Sequence, residues 1–187
     1  MATEKVILRC WKIDGEYEGD LVDGVANGKG KWVYCFGDGK PHYFYEGYFE
    51  NNKFHGKGKW ISYLAHGNVH QEYEGDYVNG KKHGKGKETG YYSSGETSDI
   101  YEGDFFDDER HGKGKLLDYS QNGGTYEGDF EAGLFHGKGK WLGKYDGEYT
   151  GNFINGEREE TVRAREAEPP LTDYDYEMIR IKNEVCP

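Results

Sequence analysis

Residues 73–87 read Tyr73-Glu74-Gly75-Asp76-Tyr77-Val78-Asn79-Gly80-Lys81-Lys82-His83-Gly84-Lys85-Gly86-Lys87. Either side of Gly80 the chain alternates with a period of two, the pattern of a β-strand. Gly80 itself marks a turn, and the positions matching it elsewhere are Gly24, Asn52, Asp108, Gly133 and Gly156. Gly, Asn and Asp tolerate a left-handed backbone, so φ is expected to be positive at all six. The segment is a β-hairpin, and it recurs. Tyr-x-Gly appears at Tyr17, Tyr45, Tyr73, Tyr101, Tyr126 and Tyr149, in steps of 28, 28, 28, 25 and 23 residues. Ten residues after each of the first five comes the second strand: Asn27-Gly28-Lys29-Gly30-Lys31, then His-Gly-Lys-Gly-Lys from His55, His83, His111 and His136. The sixth copy stops half-way, at Glu157.

Composition agrees with a repeat and with little else. Of the 187 residues only 34% are hydrophobic, too few for an ordinary globular core, but aromatics alone make up 16%. The 30 glycines fall far short of collagen's one in three. In the first unit Tyr17, Gly19 and Leu21 share one face, and Gly28, Gly30 and Trp32 share one face of the second strand. Glycine beside large rings leaves a gap that a neighbouring ring can fill, so stacked hairpins bury aromatics over glycine backbone, each unit against the next. No apolar run approaches the ~18 residues of a membrane helix, and Val6-Ile7-Leu8 is too short for a signal-peptide core. Cys10, Cys35 and Cys186 are odd in number and form no CxxC pair; they read as free thiols in a reducing compartment, hence a cytoplasmic expectation. A net charge of −11 disfavours nucleic acid as a partner.

Tyr-Glu-Gly-Asp-Phe, a turn and His-Gly-Lys-Gly resemble the MORN repeat, the membrane occupation and recognition nexus motif. The resemblance runs over 17–156, with five full units and one half unit. It implies an all-β, single-layer antiparallel β-solenoid of stacked hairpins, with a short helical tail C-terminal to it; two strands per unit make a rod roughly 50 Å long. Asn27 departs from the pattern where other units have His, and Tyr48 where others have Asp. Residues 1–16 are expected to supply a strand that caps the open edge, and 157–187, carrying nine acids and five bases, an acidic tail. Glu157 to Glu168 suits a short polar helix. Beyond Pro169-Pro170, Thr172 is an N-cap candidate, and Tyr174, Met178, Ile181 and Val185 make an apolar stripe over 172–185, read as a capping helix or as one that docks on a partner.

Spacers between units hold 12, 12, 12, 9 and 7 residues, with tips at Gly37-Asp38-Gly39, His66-Gly67-Asn68, Ser94-Gly95, Asn122-Gly123 and Asp146-Gly147. The longer ones form flaps carrying Tyr34, Phe36, Tyr43, Tyr91 and Tyr92 as candidate contacts. The aromatic ridge of Tyr17, Trp32, Tyr45, Trp60, Tyr73, Tyr101, Tyr126, Trp141 and Tyr149 is the candidate protein-binding face. Lys29, Lys31, Lys57, Lys59, Lys85, Lys87, Lys113, Lys115, Lys138 and Lys140 form a ladder on one face, a candidate surface for phosphoinositide headgroups. Against it stand nine acids: Glu18, Asp20, Glu46, Glu74, Asp76, Glu102, Asp104, Glu127 and Asp129. Cross-strand pairs of opposite charge cancel the field, which favours a structural charge zipper over a lipid surface.

The repeated histidines stand one per unit, which favours packing over metal binding. Gly-Lys-Gly-Lys lacks the GxxxxGK[ST] order and the following helix of a phosphate loop. No GxSxG or catalytic order of Ser, His and Asp occurs, and 31 residues after Gly156 leave little room for a catalytic domain. No catalytic, cofactor or metal residues are assigned. The expectation is a non-catalytic scaffold joining proteins in a cytoskeletal or membrane-proximal assembly, as related MORN proteins do, through the aromatic face, the flaps or the tail helix. Peripheral attachment to phosphoinositide membranes is the alternative, and a third possibility combines the scaffold with homodimerisation.

Overall fold

The computed structural model describes residues 5–10, 13–35, 37 and 39–167. Thirteen strands form one antiparallel sheet whose spatial order is the sequence order. They are β1 (Lys5–Cys10), β2 (Ile13–Val22), β3 (Val25–Cys35), β4 (Pro41–Glu50), β5 (Lys53–Tyr63), β6 (Val69–Val78) and β7 (Lys81–Tyr91). Next come β8 (Thr97–Phe106), β9 (Glu109–Asp118), β10 (Gly124–Glu131), β11 (Leu134–Gly143), β12 (Gly147–Ile154) and β13 (Glu157–Arg158). Among the described residues one helix, α1 (Glu159–Ala167), follows. Strand β1 lies along β2 from Lys5↔Glu18 to Cys10↔Ile13, and β2 starts four residues ahead of Tyr17. The polar helix sits where the acidic tail begins; it buries Val162, and Asn152 Nδ2 donates to Glu159 Oε2 at 3.0 Å.

Each hairpin closes on two residues with positive φ: Asp23 and Gly24, Asn51 and Asn52, Asn79 and Gly80, Asp107 and Asp108, Ala132 and Gly133, Asn155 and Gly156. This is the type I′ turn, whose twist matches that of the flanking strands. The turns also join the units. The N–H of Gly80 donates to Phe54 O at 2.8 Å, that of Asp108 to Lys82 O at 3.0 Å, and that of Gly133 to Arg110 O at 2.9 Å. Where unit 1 has Asn27 in place of His, its Oδ1 accepts from the Asn51 N–H at 3.0 Å, a further tie of the same kind.

The glycines of the second strand divide into two roles that alternation alone does not separate. Gly28, Gly56, Gly84, Gly112 and Gly137 have positive φ and sit in a bulge, where register slips between Gly75 and Asp76 and at the matching places in the other hairpins. A Cβ on Gly84 would face the Asp76 carboxylate, 3.0 Å from Oδ2, so this glycine is not on the aromatic side. Gly58, Gly86, Gly114 and Gly139 do lie there, each under a tyrosine ring; a Cβ on Gly86 would come within 2.5 Å of Tyr73 Cε2. The phenol then reaches past the bulge to a main-chain carbonyl: Tyr73 Oη donates to Asp76 O at 3.0 Å and Tyr101 Oη to Asp104 O at 2.8 Å. One ring thereby covers the glycine and satisfies the carbonyl at the bulge.

Candidate functional site

On the face opposite the tyrosines a groove of about 1670 Å³ runs across β4 to β12. Eight strand spacings of ~4.8 Å give it a length of roughly 38 Å. Its floor is glycine backbone, from Gly58 and Gly75 through to Gly139 and Gly151. Eight lysines and four glutamates line it: Lys57, Lys59, Lys85, Lys87, Lys113, Lys115, Lys138 and Lys140 against Glu46, Glu74, Glu102 and Glu127. A chain of net charge −11 thus concentrates cations along one channel.

The bulge aspartates organise half of those lysines. Asp76 Oδ2 accepts from the Lys85 N–H at 3.2 Å, and its Oδ1 pairs with Lys57 Nζ of the preceding unit at 2.8 Å. Asp104 and Asp129 repeat the arrangement, pairing with Lys85 at 2.7 Å and Lys113 at 2.6 Å. Each carboxylate pins its own bulge and clamps the neighbouring hairpin. The row fails at both ends. Tyr48 stands where Asp would, and Lys29 Nζ lies over its ring, 5.5 Å from the centroid. At the other end Asn152 occupies the aspartate position opposite Lys138. The zipper expected along the whole ladder is therefore partial. Glu102 faces Lys87 and Lys115 in register, yet among the described residues Lys87, Lys115 and Lys138 have no carboxylate within 4.0 Å. Lys59 pairs with Glu72 at 3.6 Å and Lys140 with Glu148 at 2.8 Å. Lys29 and Lys31 lie outside the groove lining.

The aromatic ridge expected to meet a partner needs correction. Tyr17, Trp32, Tyr45, Tyr73, Tyr101 and Tyr126 have no exposed surface; they are the core. A ring pressed onto glycine and capped from its other side cannot also touch a partner. Tyr45 stacks on Phe54 with centroids 3.8 Å apart, as Tyr126 does on Phe135. In the middle units cations take the place of those phenylalanines. Lys82 Nζ lies 5.0 Å from the Tyr73 centroid and the Arg110 guanidinium 5.0 Å from that of Tyr101. Glu88, buried where Trp32 and Trp60 sit in their units, bonds both Lys82 and Arg110, and Arg110 also reaches Asp99 at 2.7 Å. Trp60, Trp141 and Tyr149 are half-buried at the margin of this core.

At the expected flap tips Gly67, Gly95 and Gly147 have positive φ. Tyr34 stacks on Tyr43 and Tyr43 on Trp60, centroids 6.1 and 5.9 Å apart. Tyr91 is half-buried and Tyr92 exposed, while Phe36 lies outside the described residues. So do Tyr174, Met178, Ile181 and Val185 of the expected tail helix. Among the described residues no three His, Cys, Asp or Glu side chains come together to hold a metal ion, and no helix is long and apolar enough to cross a membrane. The groove's glycine floor and the Asn152 end were not singled out from the sequence. Their signal was present, in the second glycine of each Gly-Lys-Gly and in the aspartate missing from the last unit.

A family model of the MORN repeat matches residues 17–39, 45–63, 73–91, 101–123 and 126–144, together more than half of the chain. The chain is a MORN-repeat protein. Its sixth, partial unit from Tyr149 lies beyond the matched segments but keeps the MORN geometry: Tyr149 Oη donates to Asn152 O at 3.2 Å, and Arg158 caps the ring at 4.9 Å. The search of curated proteins finds no match. MORN repeats are a non-enzymatic repeat type known in protein–protein and membrane-interaction modules.

Proposed function

We propose that this MORN protein is a non-catalytic scaffold that takes an extended acidic segment of a partner protein along its glycine-floored groove. The observation that carries the reading is the groove itself: a channel with a backbone floor, along which Lys87, Lys115 and Lys138 lack ion-pair partners among the described residues. Desolvating an already paired lysine gains little, whereas an unpaired one offers a charge-assisted hydrogen bond to an incoming carboxylate. A cytoplasmic setting in a cytoskeletal or membrane-proximal assembly suits such a scaffold, and a homodimer would present two grooves.

The test is co-purification with the whole chain and with a Lys87→Glu, Lys115→Glu, Lys138→Glu variant. Each position is exposed, so the fold is expected to survive, while partners held by carboxylates are lost. Identical partners at identical yield would remove the groove from the account. A second reading, attachment to phosphoinositide headgroups, is favoured by the eight lysines on one face. Against it, four glutamates interleave with them and weaken the potential a flat bilayer would meet. Sedimentation with phosphatidylcholine vesicles containing phosphatidylinositol bisphosphate separates the two: protein found in the pellet at physiological salt supports the lipid reading.

A further inference from the structure

The chain's own acidic tail starts at one end of the groove. Asn152, on β12, lines the groove at the position that Asp76, Asp104 and Asp129 hold in the three units before it, and it faces Lys138 in register. Its Nδ2 donates to Glu159 Oε2 at 3.0 Å, so the first acid of α1 already stands at the groove's end. Beyond α1, residues 168–187 carry five acids and two bases. Three of the acids alternate with large apolar residues in Asp173-Tyr174-Asp175-Tyr176-Glu177-Met178, a period of two that gives an extended chain one charged edge.

Length and spacing agree with charge. The nine residues of α1 place Ala167 at most ~14 Å from Glu159, and the six residues from there to Asp173 span up to ~20 Å. Even with α1 pointing away from the groove, Asp173 reaches Lys138 on the neighbouring strand β11. Lys115 on β9 and Lys87 on β7 lie ~10 and ~19 Å further along the groove. In an extended chain Asp175 and Glu177 follow Asp173 by ~7 and ~13 Å, and the flexible lysine stems take up the difference. On a helix the same three acids span only ~6 Å and meet one lysine. These are the three groove lysines with no carboxylate within 4.0 Å among the described residues. We propose that Asp173, Asp175 and Glu177 lie along the groove on Lys138, Lys115 and Lys87 until a partner's acidic segment displaces them. The contact rests on the reading of the groove as a site for carboxylates, and it makes the tail a competitor held in place by the chain itself. A tail seated nine-tenths of the time weakens any other occupant about ten-fold.

Carbodiimide cross-linking of the full chain, which joins a carboxylate to an amine where the two pair, is expected to link Asp173, Asp175 or Glu177 to Lys138, Lys115 or Lys87 within the monomer. Fluorescein-labelled hexaglutamate is then titrated against the full chain and against the full-length variant Asp173→Asn, Asp175→Asn, Glu177→Gln. The neutralised tail should let the peptide bind about ten-fold more tightly. Lys87→Glu, Lys115→Glu, Lys138→Glu should abolish binding with either tail. Equal affinity with and without the tail acids would overturn the proposal and leave the groove reading standing. Peptide binding to neither form would overturn the groove reading and the proposal with it. Cross-links found only in covalent dimers would give the tail to the groove of a second copy and overturn the contact within one chain.

Discussion

Gly86 and Tyr73 act as one packing unit built from two strands. Alanine at Gly86 would drive its Cβ against the Tyr73 ring, a displacement with no free space to absorb it. Overpacking of this kind destabilises by ~1–3 kcal/mol. Tyr73→Phe keeps the ring but loses the bond to Asp76 O, a loss of ~1 kcal/mol. Urea denaturation should rank Gly86→Ala below Tyr73→Phe. The buried charges around Glu88 give a second test at this scale. Glu88→Ala strands Lys82 against aromatic rings, leaves Arg110 with Asp99 as its one carboxylate, and should lose ~3–5 kcal/mol, whereas replacing the set with Lys82→Phe, Glu88→Trp and Arg110→Phe, the choice of unit 2, should be neutral or stabilising by ~1–4 kcal/mol. A triple variant as unstable as Glu88→Ala would mean the cluster does more than fill space. The Tyr–Gly partnership was legible in the sequence because it repeats. The charged cluster was not, because Lys82 and Arg110 read as ordinary surface cations in a hairpin strand.

At the scale of the hairpin the turns hold the most readable information and the bulges the least. Every expected positive-φ position has it, since a two-residue turn is decided by local sterics. The preceding residue is left-handed as well, and Ala132 at φ 49° is the poorest choice among the six. Ala132→Asn should raise stability by ~1 kcal/mol, and Gly80→Ala at φ 87° should lower it by ~1–2 kcal/mol, both read as shifts in the urea midpoint. No change at Ala132 would show that the turn relaxes without strain. The bulges escape a reading by alternation because two extra residues in the second strand preserve its parity. Gly84 and Gly86 then look equivalent in sequence, and only the pairing of Asp76 with His83 in place of Lys85 separates them.

Across the whole molecule the core is a row of tyrosines, and that makes it sensitive to alkali. Burial pushes the Tyr126 phenol up to about 12, and it raises Tyr45, Tyr73, Tyr77 and Tyr101 as well; at Tyr73 the charges of Asp76 and Glu88 add to it. A phenol held above its unfolded value of 10 contributes stability that is whole below pH 10 and declines as pH rises through the folded value. Thermal stability should therefore fall steadily above pH 10 from this cause. Tyrosinate absorbance from the core rings is expected to grow together with loss of the β circular dichroism signal. Core ionisation with the sheet intact would contradict the burial described. Because each hairpin is tied mainly to its neighbours, damage at one unit should spread along the row through the strand pairing and ring contacts between units, the turn bonds and the Asp–Lys clamps.

The sequence by itself determined the unit, its number, its turns, the flap positions and the membership in a repeat family, because all of these follow from short-range chemistry repeated five times. Tertiary structure decided which face is filled and which is open. Alternation says that tyrosines and lysines lie on opposite sides of a sheet but not which side is free. That depends on rings from adjacent strands closing over glycine, and on carboxylates from one hairpin reaching the lysines of another. The same contacts between units settle why Lys138, opposite Asn152, has no carboxylate partner among the described residues. A residue's neighbour in the next hairpin lies about 28 positions away in the chain, and its identity acquires meaning only once the strands are in register.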